Sequence, residues 1–184
     1  GDGIVVLTPA YPPFLDAPEP LNRRRLDCPM VLGDDRRYTI DFALLEDLCR
    51  RADTTMLIFC NPHNPTGHVW SKEEMIAVVE LCDKYGMLIC SDEIWADLVM
   101  NGNVQTPTQE ISEDAKMRTI ALYAPSKTFN LAGLQGSYSV CWNPAMKARV
   151  AKAAVASHYN AANVLSVHAA IGAYNGDEGA QYVD

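Results

Sequence analysis

Three short apolar runs, each followed at once by a polar or proline-rich segment, constrain the fold of this chain most. The runs are residues 55–60, 87–90 and 119–123, and their length and apolar character are typical of buried strands. The segments that follow them are NPHNPTG at 61–67, SDEIW at 91–95 and APSKTF at 124–129. Between the first two runs, Ser71 and Glu74 have the spacing of a capping box and predict a helix that runs to Gly86. This βαβ pattern predicts an α/β fold with a mostly parallel sheet.

The rest of the chain predicts further strands and helices around this unit. We expect strands at 4–7, near 28–32 and at 136–141, and helices at 41–51, 144–157 and 163–175. The proline-rich YPPF at 11–14 should not be helical, and residues 101–117 should be mainly loop with room for one helical turn. The 184 residues, 48% of them hydrophobic, are enough for one core, so we predict one domain or part of one.

Composition and charge argue against several classes of partner. The chain has 15 basic and 23 acidic residues, a formal net charge of −8, which disfavours a nucleic-acid partner. Its six cysteines lie mostly inside apolar runs, with no CxxC pair and no His/Cys cluster at metal-ligand spacing. We therefore expect reduced thiols and no metal site. No stretch approaches the length of a membrane span, and the sequence predicts a cytoplasmic protein without a membrane partner.

The three polar segments also predict a ligand site. Open α/β sheets bind ligands in the crevice at the carboxyl ends of their strands, so Asn64, Asp92 and Lys127 should lie close together. An amide, a carboxylate and a lysine suit pyridoxal phosphate. The lysine would form a Schiff base with the cofactor aldehyde, and the carboxylate would keep the ring nitrogen protonated. The amide would bind the phenolic oxygen of the ring.

Five segments carry a resemblance to a known family. They are YPPF at 11–14, RRYTIDF at 36–42, NPHNPTGHVW at 61–70, SDEIWADL at 91–98 and APSKTFNLAGLQ at 124–135. Through them the chain resembles the fold-type I pyridoxal phosphate-dependent enzymes, the aminotransferase class I and II superfamily, over nearly its whole length. Within that superfamily the segments are most similar to cystathionine β-lyase-type carbon–sulfur lyases. The resemblance implies a three-layer α/β large domain, an amino acid substrate and a homodimer.

The resemblance also implies residue roles. Lys127 would be the catalytic residue, which binds the cofactor and then removes the α-proton of the substrate. Asp92 would pair with the ring nitrogen, and Asn64 would bind the phenolic oxygen. The alternatives are a solvent-exposed surface lysine for Lys127, a helix N-cap for Asp92 and a turn residue for Asn64.

Three further cofactor-binding residues are implied. Tyr11 resembles the aromatic residue that stacks on the cofactor ring, with structural packing as the alternative. Ser126 resembles a ligand on the phosphate side. Trp95 stands where many aminotransferases carry a tyrosine, and its indole N–H can donate a hydrogen bond or the ring can simply pack. Ala124 and Gln135 replace a serine and an arginine of typical aminotransferases, which favours the lyase-like branch.

We therefore expect a carbon–sulfur β-lyase that releases a thiol, pyruvate and ammonia. An aminotransferase is one alternative, and a non-catalytic truncated homologue with a dimerisation or regulatory role is another. Residues 1–184 resemble only part of the cofactor-binding large domain, without the family's upstream phosphate-binding turn or its small C-terminal domain. We expect the isolated chain to bind cofactor poorly and to be inactive.

Overall fold

The computed structural model describes residues 1–158, 161–175 and 177–183. The strands in these ranges are β1 Gly3–Thr8, β2 Arg24–Pro29, β3 Val31–Leu32, β4 Tyr38–Thr39, β5 Thr54–Cys60, β6 Leu88–Asp92, β7 Thr119–Tyr123 and β8 Tyr138–Cys141. The α-helices are α1 Pro12–Asp16, α2 Phe42–Cys49, α3 Lys72–Lys84, α4 Glu113–Arg118, α5 Pro125–Thr128, α6 Pro144–Ala156, α7 Val164–Tyr174 and α8 Asp177–Val183. Short 3-10 turns occupy Glu19–Leu21, Thr108–Glu110 and Ala132–Leu134.

Six strands form one sheet in the order β2-β1-β5-β6-β7-β8. The first five strands run parallel, and β8 runs antiparallel to β7. Strands β3 and β4 form a separate antiparallel pair. The predicted α/β fold with a mostly parallel sheet is therefore confirmed. The register pairs Cys60 with Asp92 and Asp92 with Leu122, so that β5, β6 and β7 end at one edge of the sheet.

Helices cover both faces of this sheet. On one face, α2, α3 and α4 pack against the strands to form the main core, which includes Val5, Leu45, Leu57, Phe59, Met75, Val78, Cys82, Ile89 and Ala115. On the other face, Val150 of α6 lines a cavity together with Ile120 and Leu122 of β7. Successive residues of a strand point to opposite faces, and in β6 and β7 fully buried residues alternate with half-buried ones. The arrangement is the three-layer one that the sequence predicts.

Helix α3 begins with the predicted capping box. The Ser71 hydroxyl accepts a hydrogen bond from the Glu74 N–H at 3.2 Å, and the Ser71 N–H donates to Glu74 Oε2 at 2.8 Å. Two N–H groups that have no partner inside the helix are thereby satisfied. His68 Nε2 lies 3.2 Å from the same Glu74 oxygen, so the cap also fixes the end of the NPHNPTGH segment.

We predict that Ser71→Ala lowers the free energy of unfolding by about 1 kcal/mol, because the N-cap hydroxyl is lost. Urea denaturation followed by far-ultraviolet circular dichroism measures the change. Ser157→Ala is the matched control, since the Ser157 hydroxyl donates only to carbonyl groups at the exposed end of α6. An equal loss in both variants would show that the capping box adds nothing particular.

One sequence prediction about local structure was wrong, and another underestimated the helical content. The YPPF segment is helical from Pro12, because a proline in the first helical turn gives up no hydrogen bond and has a suitable φ angle. Residues 101–117 are mainly loop, as expected, but they contain the 3-10 turn Thr108–Glu110 as well as most of helix α4. Ser112 caps α4 by accepting from the Ala115 N–H at 3.0 Å.

Among the described residues, no helix combines the length and apolar character needed to cross a membrane. In the same ranges, no three His, Cys, Asp or Glu side chains group in a way that could hold a metal ion. All six cysteines lie in described ranges and are free thiols.

Candidate functional site

A cavity of about 280 Å³ opens at the sheet edge where β5, β6 and β7 end. Its walls come from the segments that follow these strands, from the start of α1 and from the approach to β8. The six residues that the sequence predicts for the site all line this cavity: Tyr11, Asn64, Asp92, Trp95, Ser126 and Lys127. The structure thus brings them together, and their individual roles stay predictions.

Asp92 is the last residue of β6. Its Oδ1 accepts a hydrogen bond from the Ile94 N–H at 3.0 Å, and within the described ranges the carboxylate forms no ion pair. Burial raises the pKa of Asp92 and the charge of Glu93 adds to this, while the Ile94 N–H and Lys127 oppose it. The helix N-cap alternative is wrong, because residues 94–97 form turns rather than a helix. The cavity therefore contains a desolvated carboxylate that forms no ion pair with any described residue.

Lys127 is the third residue of the short helix α5 and is exposed to solvent. Its Nζ lies 5.6 Å from the centroid of the Trp95 ring and, within the described ranges, forms no salt bridge. The turn that carries it is held from both sides. The Phe129 N–H donates to the Pro125 carbonyl at 2.9 Å, and the Thr128 hydroxyl donates to Asp97 at 3.0 Å. Lys127 is thus an exposed lysine on a fixed turn, and its amine has no salt-bridge partner in the described ranges.

Asn64 lies in a tight loop between Pro62 and Pro65. The His63 N–H donates to the His68 carbonyl at 2.8 Å, and the Gly67 N–H donates to the His63 carbonyl at 2.7 Å. These bonds fix the loop without the Asn64 side chain, whose amide has no hydrogen-bond partner among the described residues. The backbone of Asn64 therefore lies in a turn, as the alternative interpretation expects. Its side-chain amide remains available to a ligand.

The other three predicted residues also line the cavity. Tyr11 is 42% exposed and packs edge-on against Phe14, with ring centroids 5.5 Å apart. Ser126 precedes the lysine in the same turn, and its carbonyl accepts from the Leu131 N–H at 3.0 Å. Trp95 is half-buried and lies between this cavity and a second one of about 380 Å³, since both include its side chain in their walls.

Sequence reasoning missed several residues of the cavity wall, namely Phe14, Cys60, Ile94, Ala132, Gly136 and Ser137. A signal for Cys60 was present, because it ends β5 at the edge where Asp92 ends β6. Burial raises the pKa of Cys60 to about 12, so its thiol is a neutral part of the wall. Its Sγ lies 3.2 Å from the Pro62 carbonyl oxygen. Ser137 carried no signal, because only the antiparallel direction of β8 places it at this edge.

Comparisons with known proteins show the family of the chain. The family model described as aminotransferase class I and II matches residues 1–183. The chain is 37% identical over 175 residues to cystathionine beta-lyase PatB of Bacillus subtilis (strain 168), which is 95% of this chain and 45% of that protein. The chain thus spans less than half the length of this curated relative.

Two solved structures have the same fold over most of the chain. The first is cystalysin from Treponema denticola, which contains a pyridoxal 5'-phosphate cofactor, with a TM-score of 0.87 and 38% identity over 90% of this chain and 42% of that one. The second is the pyridoxal phosphate-bound C–S lyase from Staphylococcus hominis, with a TM-score of 0.88 and 30% identity over 97% of this chain and 44% of that one. The family match over nearly all residues and these two likenesses lead to one conclusion: the chain belongs to the aminotransferase class I and II family.

Proposed function

We propose that this chain forms part of the cofactor-binding large domain of a pyridoxal phosphate-dependent carbon–sulfur β-lyase. The observation that carries the proposal is the joint placement of Lys127, Asp92 and Asn64 on one cavity, where the carboxylate forms no ion pair with a described residue. The relatives support the choice of reaction, since PatB is a cystathionine beta-lyase and the Staphylococcus hominis structure is that of a C–S lyase.

The side chains in the cavity fit this cofactor. A desolvated carboxylate with a raised pKa favours a cationic hydrogen-bond donor, which a protonated pyridine nitrogen provides. Lys127 offers a free amine to the aldehyde, Asn64 offers an unused amide to the phenolic oxygen, and Ser126 offers a hydroxyl to the phosphate. Tyr11 and Trp95 offer aromatic surface to the ring. When bound, pyridoxal phosphate supplies an electron-accepting ring that stabilises negative charge on the substrate α-carbon.

Three residues of the chain have separate roles in the proposed reaction. Lys127 Nζ, in its neutral form, takes the proton from the substrate α-carbon, and the same amine can return a proton later. The Asp92 carboxylate keeps a proton on the ring nitrogen through charge pairing. Asn64 donates to the phenolic oxygen and fixes the orientation of the ring. Overall, an S-substituted cysteine and one water yield a thiol, pyruvate and ammonia.

A direct assay of the full-length protein tests the proposal. With L-cystathionine as substrate and pyridoxal phosphate present, we expect pyruvate and a free thiol in equal amounts. Incubation with an amino acid donor and a keto acid acceptor should give little transfer. Dominant transfer would replace the lyase by an aminotransferase, and absence of both activities in cofactor-loaded protein would refute an enzyme of either kind.

We also propose that the full-length protein is a homodimer, as the family resemblance implies. Several apolar side chains of α7 are exposed in the chain described here, including Val164, Leu165 and Ile171. Exposed apolar surface of this kind is typical of regions that another chain or segment covers. Sedimentation equilibrium of the full-length protein at micromolar concentration should give twice the monomer mass, and a monomer mass would contradict the proposal.

A further inference from the structure

A buried carboxylate lies directly behind the candidate site. The Glu93 side chain is only 1% exposed and accepts four hydrogen bonds. Its Oε1 accepts from the Ser91 hydroxyl and from the Thr108 N–H, each at 2.9 Å. Its Oε2 accepts from the Gln105 amide at 3.2 Å and from the Tyr123 hydroxyl at 2.6 Å. All four donors are neutral, so the negative charge is held by dipoles alone.

These four bonds join three separate parts of the chain. Ser91 belongs to β6, Tyr123 ends β7, and residues 105–108 belong to the segment that leads into the turn Thr108–Glu110. A further hydrogen bond links two of these parts directly, because the Ser91 and Thr108 hydroxyls lie 2.8 Å apart. The Glu93 N–H also donates to the Leu122 carbonyl at 3.0 Å. Glu93 therefore ties the carboxyl ends of β6 and β7 together through both its backbone and its side chain.

The two strand ends that Glu93 joins carry the two charged groups of the candidate site. Asp92 immediately precedes Glu93, and the alternation of an extended chain directs the two side chains to opposite sides. Asp92 lines the cavity, whereas Glu93 is buried in the network. On the neighbouring strand, Tyr123 lies four residues before Lys127. The hydrogen bonds of Glu93 thus restrict the orientation of the Asp92 side chain. They also fix the end of β7, from which the turn that carries Lys127 begins.

We infer that Glu93 is a positioning residue of the proposed cofactor site, which sets the placement of Asp92 relative to Lys127 without touching the cofactor. This inference rests on the proposed function. Stability alone does not account for a buried carboxylate, because a buried ionic group is often no more stabilising than an apolar one of similar volume. A buried network in which every member has its partners does, however, specify a single geometry.

Two variants separate the parts of this network. Glu93→Gln removes the charge but keeps the shape: a rotation of the Gln105 amide lets it accept from the new amide group, whereas the Tyr123 hydroxyl loses the carboxylate oxygen to which it donates. Tyr123→Phe keeps the charge and removes only the side-chain link to β7, while the backbone bond from Glu93 to Leu122 stays. Glu113→Gln is the control, because it removes the same charge from a side chain that is 87% exposed in a nearby segment. All three are made in the full-length protein, and far-ultraviolet circular dichroism checks that each one folds.

Three readouts are measured on each protein: the dissociation constant for pyridoxal phosphate, the visible circular dichroism of the bound cofactor, and borohydride-fixed labelling at Lys127. We expect Glu93→Gln to weaken cofactor binding about tenfold and Tyr123→Phe about threefold or more, in line with lost hydrogen bonds to a charged group. Both should change the sign or size of the visible dichroism, which reports ring orientation. Glu113→Gln should change neither.

The outcomes distinguish this inference from the proposed function. If the unaltered protein labels at Lys127, and both folded variants retain its affinity and its dichroism, Glu93 has no positioning role. If Glu93→Gln fails to fold, Tyr123→Phe alone decides, because it deletes a single hydroxyl. If the unaltered protein shows no labelling at Lys127, the proposed function fails first and the inference about Glu93 falls with it.

Discussion

Lys127→Ala should abolish the proposed lyase activity of the full-length protein, with a fall in kcat on the order of 10⁴-fold, because it removes the proposed general base together with the amine proposed to anchor the cofactor. Alanine deletes only an exposed side chain from a turn that other residues hold, so the fold should be retained. The most direct measurement is borohydride reduction in the presence of pyridoxal phosphate, followed by peptide mass mapping. The unaltered protein should carry the pyridoxyl group on Lys127, and the variant should carry none.

The matched control for this prediction is Lys147→Ala, which removes an exposed lysine from α6 outside the cavity. It should keep both the labelling and the rate. Labelling that spreads over many lysines in the unaltered protein, or that persists at the same level in Lys127→Ala, would remove the main support for the cofactor site.

Asp92→Asn should separate activity from stability. The asparagine oxygen can still accept from the Ile94 N–H, but it no longer offers a negative charge to the ring nitrogen of the proposed cofactor. We expect kcat to fall by roughly 10²–10³-fold, the usual loss when one preorganised electrostatic group is removed from an active site. At neutral pH and without cofactor, the same variant should have a higher free energy of unfolding, because a desolvated charge is gone.

The pH dependence of that gain follows from the direction of the pKa shift. Burial raises the pKa of Asp92 in the folded protein above its value in the unfolded chain, so the folded protein binds the proton more tightly. The ionised carboxylate therefore disfavours folding more as the pH rises through the folded-state pKa. The stability advantage of Asp92→Asn should be present at neutral pH and should vanish below the ordinary pKa range of aspartate.

Asp114→Asn is a control in which the free energy of unfolding should change in the opposite direction. Hydrogen bonds from Arg118 lower the pKa of Asp114, so its charge favours the folded state above the ordinary aspartate range. Asp114→Asn should reduce stability at neutral pH and should have no effect in acid. Urea unfolding of both variants at several pH values measures the two trends, and a loss of stability at neutral pH in both would contradict the desolvated state of Asp92.

The sequence predicted the strand-end segments and therefore the joint placement of Lys127, Asp92 and Asn64. This succeeded because the carboxyl ends of parallel strands meet at one edge, which is a property of topology rather than of side-chain detail. The helical state of YPPF was missed, since proline is excluded from helix interiors but tolerated in the first turn. The Glu93 network was also missed. Its donors come from three segments, and no periodicity indicates where residues 105–108 cross the strands.

The alternation of Asp92 and Glu93 has a consequence for how this part of the chain can change during evolution. Deleting or inserting one residue within β6 would exchange the sides to which the two carboxylates point, because the side-chain period of a strand is two. The aspartate would then meet the buried donors, and the longer glutamate would enter the cavity. Changes of length should therefore be confined to places such as residues 101–104, which are exposed and lie outside the strands and helices. Point substitutions, by contrast, can change the residues on one side of β6 without changing the side to which the other residues point.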